Sequence, residues 1–188
     1  MRKYGLIGFP LTHSLSKQYF TDKFLKENLT NCSYDNYPID SIYSFPDLLR
    51  DNPDLCGLNV TIPYKKEILR YVDVKTPCID EIGAVNVLKI KRLGKSVSVY
   101  GFNSDVDGIR YSVLPFLRDG LKNALILGTG GASRAVSYTL QSLGIAVTFV
   151  SRTPRPGIMT YSDLDDLVIK NSNIIVNTTP LGMFPEIE

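Results

Sequence analysis

The residues best suited to chemistry fall in short stretches spread along the chain. "THSLS" at 12–16 sets Ser14 and Ser16 two apart, between a strand end and a helix start. Two hydroxyls beside helix N–H groups suit a carboxylate. Ser16 also reads as a helix N-cap and nothing more. "NVTIPYKK" at 59–66 puts Asn59 and Thr61 on one side of a strand end, with Pro63 fixing a turn and Lys65 just beyond it. The carboxyl end of a strand is where open α/β sheets hold ligands. A lysine there suits proton exchange with a reacting oxygen, or is a solvated helix-start residue. "GFNSDVDG" at 101–108 offers Asn103 and Asp105 between a strand and a helix. Asp105 is equally readable as an acid favoured by the helix dipole. His13 is the only histidine. It stands beside serines, but no companion Asp or nucleophile-elbow motif supports a triad.

A different chemistry is suggested by "GTGGASRA" at 128–135, between the apolar run "KNALIL" and the helical pattern "VSYTLQSLG". A Gly-rich turn from strand to helix cradles phosphate through free N–H groups and the dipole. Gly128 permits the tight turn, and Gly130 leaves room for a pyrophosphate. Gly131, Ala132 and Ala135 are small enough for close helix–strand packing. Ser133 stands where the dinucleotide fingerprint wants a third glycine. Tight packing without a ligand is the competing reading. About 20 residues on, an NAD site wants Asp or Glu for the ribose hydroxyl. Here Ser151 and Arg152 stand instead, with Arg155 close behind. A guanidinium grips a 2′-phosphate, so the pair of features favours NADP over two arginines that merely edge a loop.

These groups need strands and helices to position them. The spacing predicts strands over 4–9, 32–39 and 55–60, helices over 16–29, 41–52 and 64–72, and a hairpin of "AVNVLKIKR" and "SVSVYGF" around "LGK". A helix over 105–117 leads into the polar connector "RDGLKN". Then come strand 124–128, helix 131–143, strand 146–151, a short helix around 162–169 and strand 173–179. Strand–helix–strand alternation implies crossover units and a parallel sheet. The domain boundary is placed near 102–120.

The bulk properties narrow the class. The chain has 188 residues, 44% hydrophobic and 21% charged, with 21 Lys+Arg against 19 Asp+Glu. A formal charge of +2 gives no electrostatic case for nucleic acid or a membrane surface. Cys32, Cys56 and Cys78 form no C-x-x-C pair and read as buried free thiols in a reducing compartment. No metal-ligand cluster is visible. No signal core or long apolar run is present, so the expectation is a cytoplasmic protein.

Taken in order, "GFPLTHSLS", "NVTIPYK", "GAVN", "GFNSD", "GTGGASRA", "SRT" and "NTTPLGM" resemble the shikimate dehydrogenase family, from residue 5 to the chain's end. The resemblance implies an α/β fold: an N-terminal α/β substrate domain (1–104), a connecting helix and linker (105–120) and a partial NADP-binding Rossmann-like domain (121–188). It implies reversible, NADP-dependent reduction of 3-dehydroshikimate to shikimate, in the biosynthesis of chorismate and the aromatic amino acids. Ser14 and Ser16 match the pair that binds the substrate carboxylate. Asn59, Thr61, Asn86 and Asp105 match residues that hold ring hydroxyls. Lys65 matches the catalytic lysine, paired with Asp105. Gly128, Gly130, Gly131 and Ala132 match the pyrophosphate loop, and Arg152 the 2′-phosphate anchor, with Thr153 in the same motif and Arg155 as helper. The implied partners are small molecules only, in a monomer or homodimer.

The departures leave that machinery intact. Phe9 replaces Asn in the first motif, Lys17 a proline, Val87 a threonine, Ser104 a threonine and Ser151 an asparagine. Family members run on beyond the point where this sequence stops, so a truncated cofactor domain and weak turnover are expected of the chain as written. The competing functions are a quinate/shikimate dual-specific dehydrogenase and a non-catalytic ligand-binding fragment.

Overall fold

In the computed structural model the described residues are 1–12, 14–118 and 120–182. His13 of the first motif, Asp119 of the connector and Met183 of the last motif lie outside them. The chain divides into two units, Met1–Ser104 and Asp105–Glu188.

The first unit is built on a six-stranded sheet of order β2-β1-β3-β5-β6-β4. Strand β1 (Arg2–Gly8) lies parallel between β2 (Cys32–Pro38) and β3 (Leu55–Val60). Helix α1 (Ser16–Lys26) is the crossover that parallel pairing of β1 and β2 requires. The apolar run of β3 suits an interior strand: Leu55, Leu58 and Val60 are all buried. Strands β5 (Val87–Leu93) and β6 (Ser96–Phe102) form the expected antiparallel hairpin. Its Gly94-Lys95 turn needs a left-handed residue, and Gly94 has φ +58°. Helix α2 (Phe45–Asp51), preceded by a single 3-10 turn, buries Phe45 and Leu49. Ile7, Ile42, Ile68, Ile79 and Val85 join these in one core.

Two elements of this unit were absent from the sequence reading. They are the two-residue β4 (Val74–Lys75), parallel to β6, and α3 (Cys78–Ile82). Both are too short to show a period. The helix expected over 64–72 is a 3-10 segment, Glu67–Tyr71, preceded by turns. Tyr64 and Ile68 are both core residues, and the Tyr64 hydroxyl donates to the Ile39 carbonyl at 2.6 Å. That anchoring holds the chain in turns before a regular helix begins. The cysteines are free, but each is only partly covered instead of buried.

The second unit carries a four-stranded, all-parallel sheet of order β10-β7-β8-β9. Its strands are β7 (Asn123–Leu127), β8 (Ala146–Ser151), β9 (Met159–Thr160) and β10 (Ile174–Asn177). Strand β9 adds a fourth where three were expected; two residues give no sequence signal. Helix α4 (Ser104–Val113) ends in a 3-10 turn at Pro115, and its Ile109 and Val113 pack on a core of Ala124, Ile126, Val136, Leu140 and Ile145. Helix α5 (Gly131–Ser142) supplies Val136 and Leu140. The segment around 162–169 is a 3-10 turn and then α6 (Asp166–Asn171), capped by the Asp165 carboxylate on the Val168 N–H. No helix among the described residues is long and apolar enough to cross a membrane.

Candidate active site

The first site forms at the carboxyl ends of β1 and β3, where parallel strands leave a crevice. It is an open pocket of about 490 Å³ that brings together Ser14, Ser16, Asn59, Thr61, Lys65 and Asn86. Apart from Asp105, every expected substrate-binding residue lines one space with the lysine. Asp105 belongs to the second unit and stands in the first turn of α4, where the dipole favours a carboxylate.

Local structure explains how each side chain is presented. Ser14 sits in a turn closed by its own N–H on the Leu11 carbonyl at 3.2 Å. Ser16 is not the N-cap of α1. The helix starts at Ser16 itself, Leu15 precedes it, and the Ser16 N–H donates to Ser14 Oγ at 3.3 Å. The Ser16 hydroxyl is thus left to face other side chains. The backbone of Thr61 is tied to β1 by its N–H on the Ile7 carbonyl at 2.9 Å. The Lys65 carbonyl accepts the Val85 N–H at 2.7 Å, which clamps the lysine's backbone beside the segment carrying Asn86. Lys65 is half-buried, whereas its neighbour Lys66 is exposed.

The two pocket asparagines are oriented before any ligand is considered. Tyr34 donates its phenol O–H to Asn59 Oδ1 at 2.8 Å. Asn86, buried, accepts at Oδ1 from the Ser104 N–H at 2.8 Å and from its hydroxyl at 3.3 Å. Asn103, also buried, is structural: its Nδ2 donates to the Ala84 carbonyl at 3.0 Å. Sequence reasoning passed over Tyr34 and named Ser104 only as a departure from the family motif. The stretch "CSYDNYP" reads as a strand, but nothing in it pairs that strand with "NVT" two strands away. A larger groove of about 560 Å³ shares Phe20 and Asn59 with the pocket. Its walls are chiefly aromatic and aliphatic, including Tyr4, Phe24, Leu29 and Leu88.

The second site lies at the carboxyl end of β7. Gly128 has φ +106°, and a Cβ there would meet Thr178 Oγ1 at 2.8 Å, so glycine is required on both counts. Thr178 is held in that place by its N–H and hydroxyl on the Leu127 carbonyl, at 2.9 and 2.6 Å. Gly130 precedes α5, whose first-turn N–H groups lack intrahelical acceptors. A Cβ at Gly130 or Gly131 would meet no protein atom within 4 Å, so the backbone there is open to an approaching anion, and the turn fits a dinucleotide's phosphates.

The packing role expected of Gly131 and Ala132 is not observed: both are exposed on the outer side of the first turn. Ala135 and Ser133 face the sheet instead. Ser133 is fully buried and returns its hydroxyl to the Gly130 carbonyl at 2.5 Å. That hydrogen bond is what allows a serine at the third fingerprint position. Beyond β8, the Ser151 hydroxyl accepts the Thr153 N–H at 3.1 Å, shaping a turn that leaves Arg152, Thr153 and Arg155 exposed. Among the described residues no group of three or more His, Cys, Asp or Glu side chains could hold a metal ion.

Known proteins resemble this chain along almost its whole length. Residues 6–88 match the family of the shikimate dehydrogenase substrate binding domain. A shikimate dehydrogenase (NADP(+)) from Ignicoccus hospitalis is 37% identical over 193 residues, covering 96% of this chain and 70% of the relative. Shikimate dehydrogenase from Aquifex aeolicus superposes with a TM-score of 0.78 at 32% identity, covering 99% of this chain and 71% of that one. Shikimate 5-dehydrogenase from Thermus thermophilus, solved in complex with NADP(H) and shikimate, gives a TM-score of 0.78 at 27% identity over 97% of this chain and 70% of its own.

Proposed function

Because this chain belongs to the shikimate dehydrogenase family, we propose that it interconverts 3-dehydroshikimate and shikimate with NADP as cofactor. The observation that carries this reading is one pocket lined by two serines, two asparagines, two threonines and a lysine. That set matches the substrate: a carboxylate, several hydroxyls and one carbonyl.

The roles follow from the donors available. Ser14 and Ser16 bind the carboxylate, helped by the start of α1. Asn59, Thr61 and Asn86 hold ring hydroxyls. When bound, the nicotinamide supplies or accepts the hydride at the ring carbon. Negative charge then develops on the ring oxygen in the reducing direction, and the Lys65 ammonium gives it a proton. In the oxidising direction the lysine amine takes that proton back. Asp105 is the carboxylate that orients the reacting groups. Gly128, Gly130, Gly131 and Ala132 form the pyrophosphate turn. Arg152 grips the 2′-phosphate, with Thr153 and Arg155 beside it; an arginine in place of an acid disfavours NAD.

The division of labour assigns 1–104 to substrate and 121–188 to cofactor, joined through 105–120. Free thiols suit a reducing compartment, and the proposed enzyme is cytoplasmic, a monomer or homodimer. The test is an absorbance assay at the nicotinamide band with shikimate or quinate and NADP or NAD. The reading expects reduction of NADP by shikimate to exceed the other three pairings. Faster turnover of quinate selects the dual-specific alternative, and no shikimate binding by calorimetry overturns the reading.

A further inference from the structure

Tyr34 meets Phe20 and Asn59 of the substrate pocket, and its surroundings leave it little freedom. Strand β2 turns its ring inward, where it is 4% exposed and stacked on Phe20 at 4.5 Å between centroids and 14° between planes. Phe20 lies one helical turn after Ser16 on α1, so both occupy one helix face. The stacked ring therefore carries its hydroxyl toward the Ser16 side chain, while donating to Asn59 Oδ1 at 2.8 Å. Burial pushes the phenol up to about 12, with the Ser16 side chain pulling the other way. It is a neutral donor throughout the physiological range. Tyr64 makes a useful contrast. It is equally buried, but its hydroxyl ends on the backbone carbonyl of Ile39, which is an ordinary core tyrosine satisfying its polar end.

We infer that Tyr34 is a positioning residue of the substrate pocket: by occupying Oδ1 of Asn59 it makes that amide present N–H groups to the ring acid, and it links the amide to Ser16. The inference rests on the proposed reading of the pocket. It makes Asn59 a donor, so the substrate oxygen it meets must accept. It also couples the residue holding a hydroxyl, on β3, to one holding the carboxylate, on α1.

The experiment is calorimetric titration of shikimate, with NADPH as a second ligand, on wild type, Tyr34→Phe, Tyr64→Phe, Asn59→Ala, Asn59→Asp and the Tyr34→Phe/Asn59→Ala double variant. Tyr34→Phe keeps the ring stack and removes only the hydroxyl. Its shikimate Kd is expected to rise about three- to tenfold, the value of one neutral hydrogen bond. NADPH affinity stays unchanged, and so does shikimate affinity in Tyr64→Phe, whatever the fall in Tm. In the Asn59→Ala background the Tyr34 change loses most of its effect, because the two act as one unit. Asn59→Asp keeps an acceptor for Tyr34 but removes the donor, and loses as much shikimate affinity as Asn59→Ala. Wild-type affinity in Tyr34→Phe, or an undiminished loss in the double variant, overturns the inference alone. A wild type with no shikimate affinity removes the reading of the pocket, and the inference with it.

Discussion

The proposed substrate pocket and the Gly-rich turn offer polar ligands different materials. In the pocket the proposed ligating groups are side chains, and the asparagine amides are already committed at one end, Asn59 to Tyr34 and Asn86 to Ser104. At the turn the proposed ligating groups are backbone N–H donors at the start of α5, made reachable by Gly130 and Gly131, where a Cβ would meet no protein atom. The side chains proposed to discriminate the cofactor, Arg152, Thr153 and Arg155, are exposed. A buried, hydrogen-bonded amide selects by orientation, because reversing it would leave a polar atom unsatisfied. An exposed arginine selects by charge, and it loses rotamer freedom when it binds. The pocket should therefore be sensitive to small changes in hydrogen bonding, and the turn to changes in backbone space and charge.

The largest expected effect is at the proposed acid–base residue. Lys65→Ala should lower kcat by roughly 10²–10⁴ while shikimate affinity stays within about tenfold of wild type. A fall of less than tenfold in kcat would show that another group moves the proton. The next effect separates the two glycine positions. Gly128→Val meets both a positive φ and Thr178, and is expected to cost stability along with roughly a hundredfold of NADPH affinity. Gly130→Ala has space for its methyl group in the protein, so its Tm should stay near wild type while NADPH binding weakens by about tenfold. Thermal melts and NADPH fluorescence titrations on both variants check this. Unchanged NADPH affinity in Gly130→Ala would mean that the glycines serve packing alone. The smallest effect is at Ser104→Ala, which removes the longer of two hydrogen bonds to Asn86 and keeps the N–H at 2.8 Å. Shikimate affinity should drop less than about threefold; a larger loss would give the hydroxyl a direct role.

Much of this contrast was legible in the sequence, for physical reasons. The long strands and the hairpin announced themselves through apolar runs and a glycine turn: β3 and β8 have their expected bounds, Leu55–Val60 and Ala146–Ser151. The pocket residues were legible because strand-end motifs carry their own spacing, so Asn59, Thr61 and Lys65 arrive together. What stayed hidden depended on contacts distant in sequence. Tyr34 reaches Asn59 across β1, and Ser104 reaches Asn86 from beyond the hairpin. Ser16 looked like a cap because capping statistics describe a residue type, whereas the helix here begins one residue too early for its side chain to cap it. The stretch 64–72 has helical spacing, but the anchoring of Tyr64 overrode it. Ala132 looked like packing because small residues in such turns usually face the strand; here the first turn of α5 rotates it outward.

The central claim is that separate residue sets hold the ring acid and the dinucleotide. It is tested most directly by titrating shikimate, NADPH and NADH, each alone, into wild type, Ser16→Ala and Arg152→Ala by calorimetry. The account predicts that Ser16→Ala weakens shikimate alone by about tenfold, and that Arg152→Ala weakens NADPH by about tenfold with shikimate and NADH unchanged. Equal losses of NADPH and NADH in Arg152→Ala, or a loss of NADPH in Ser16→Ala, would contradict it.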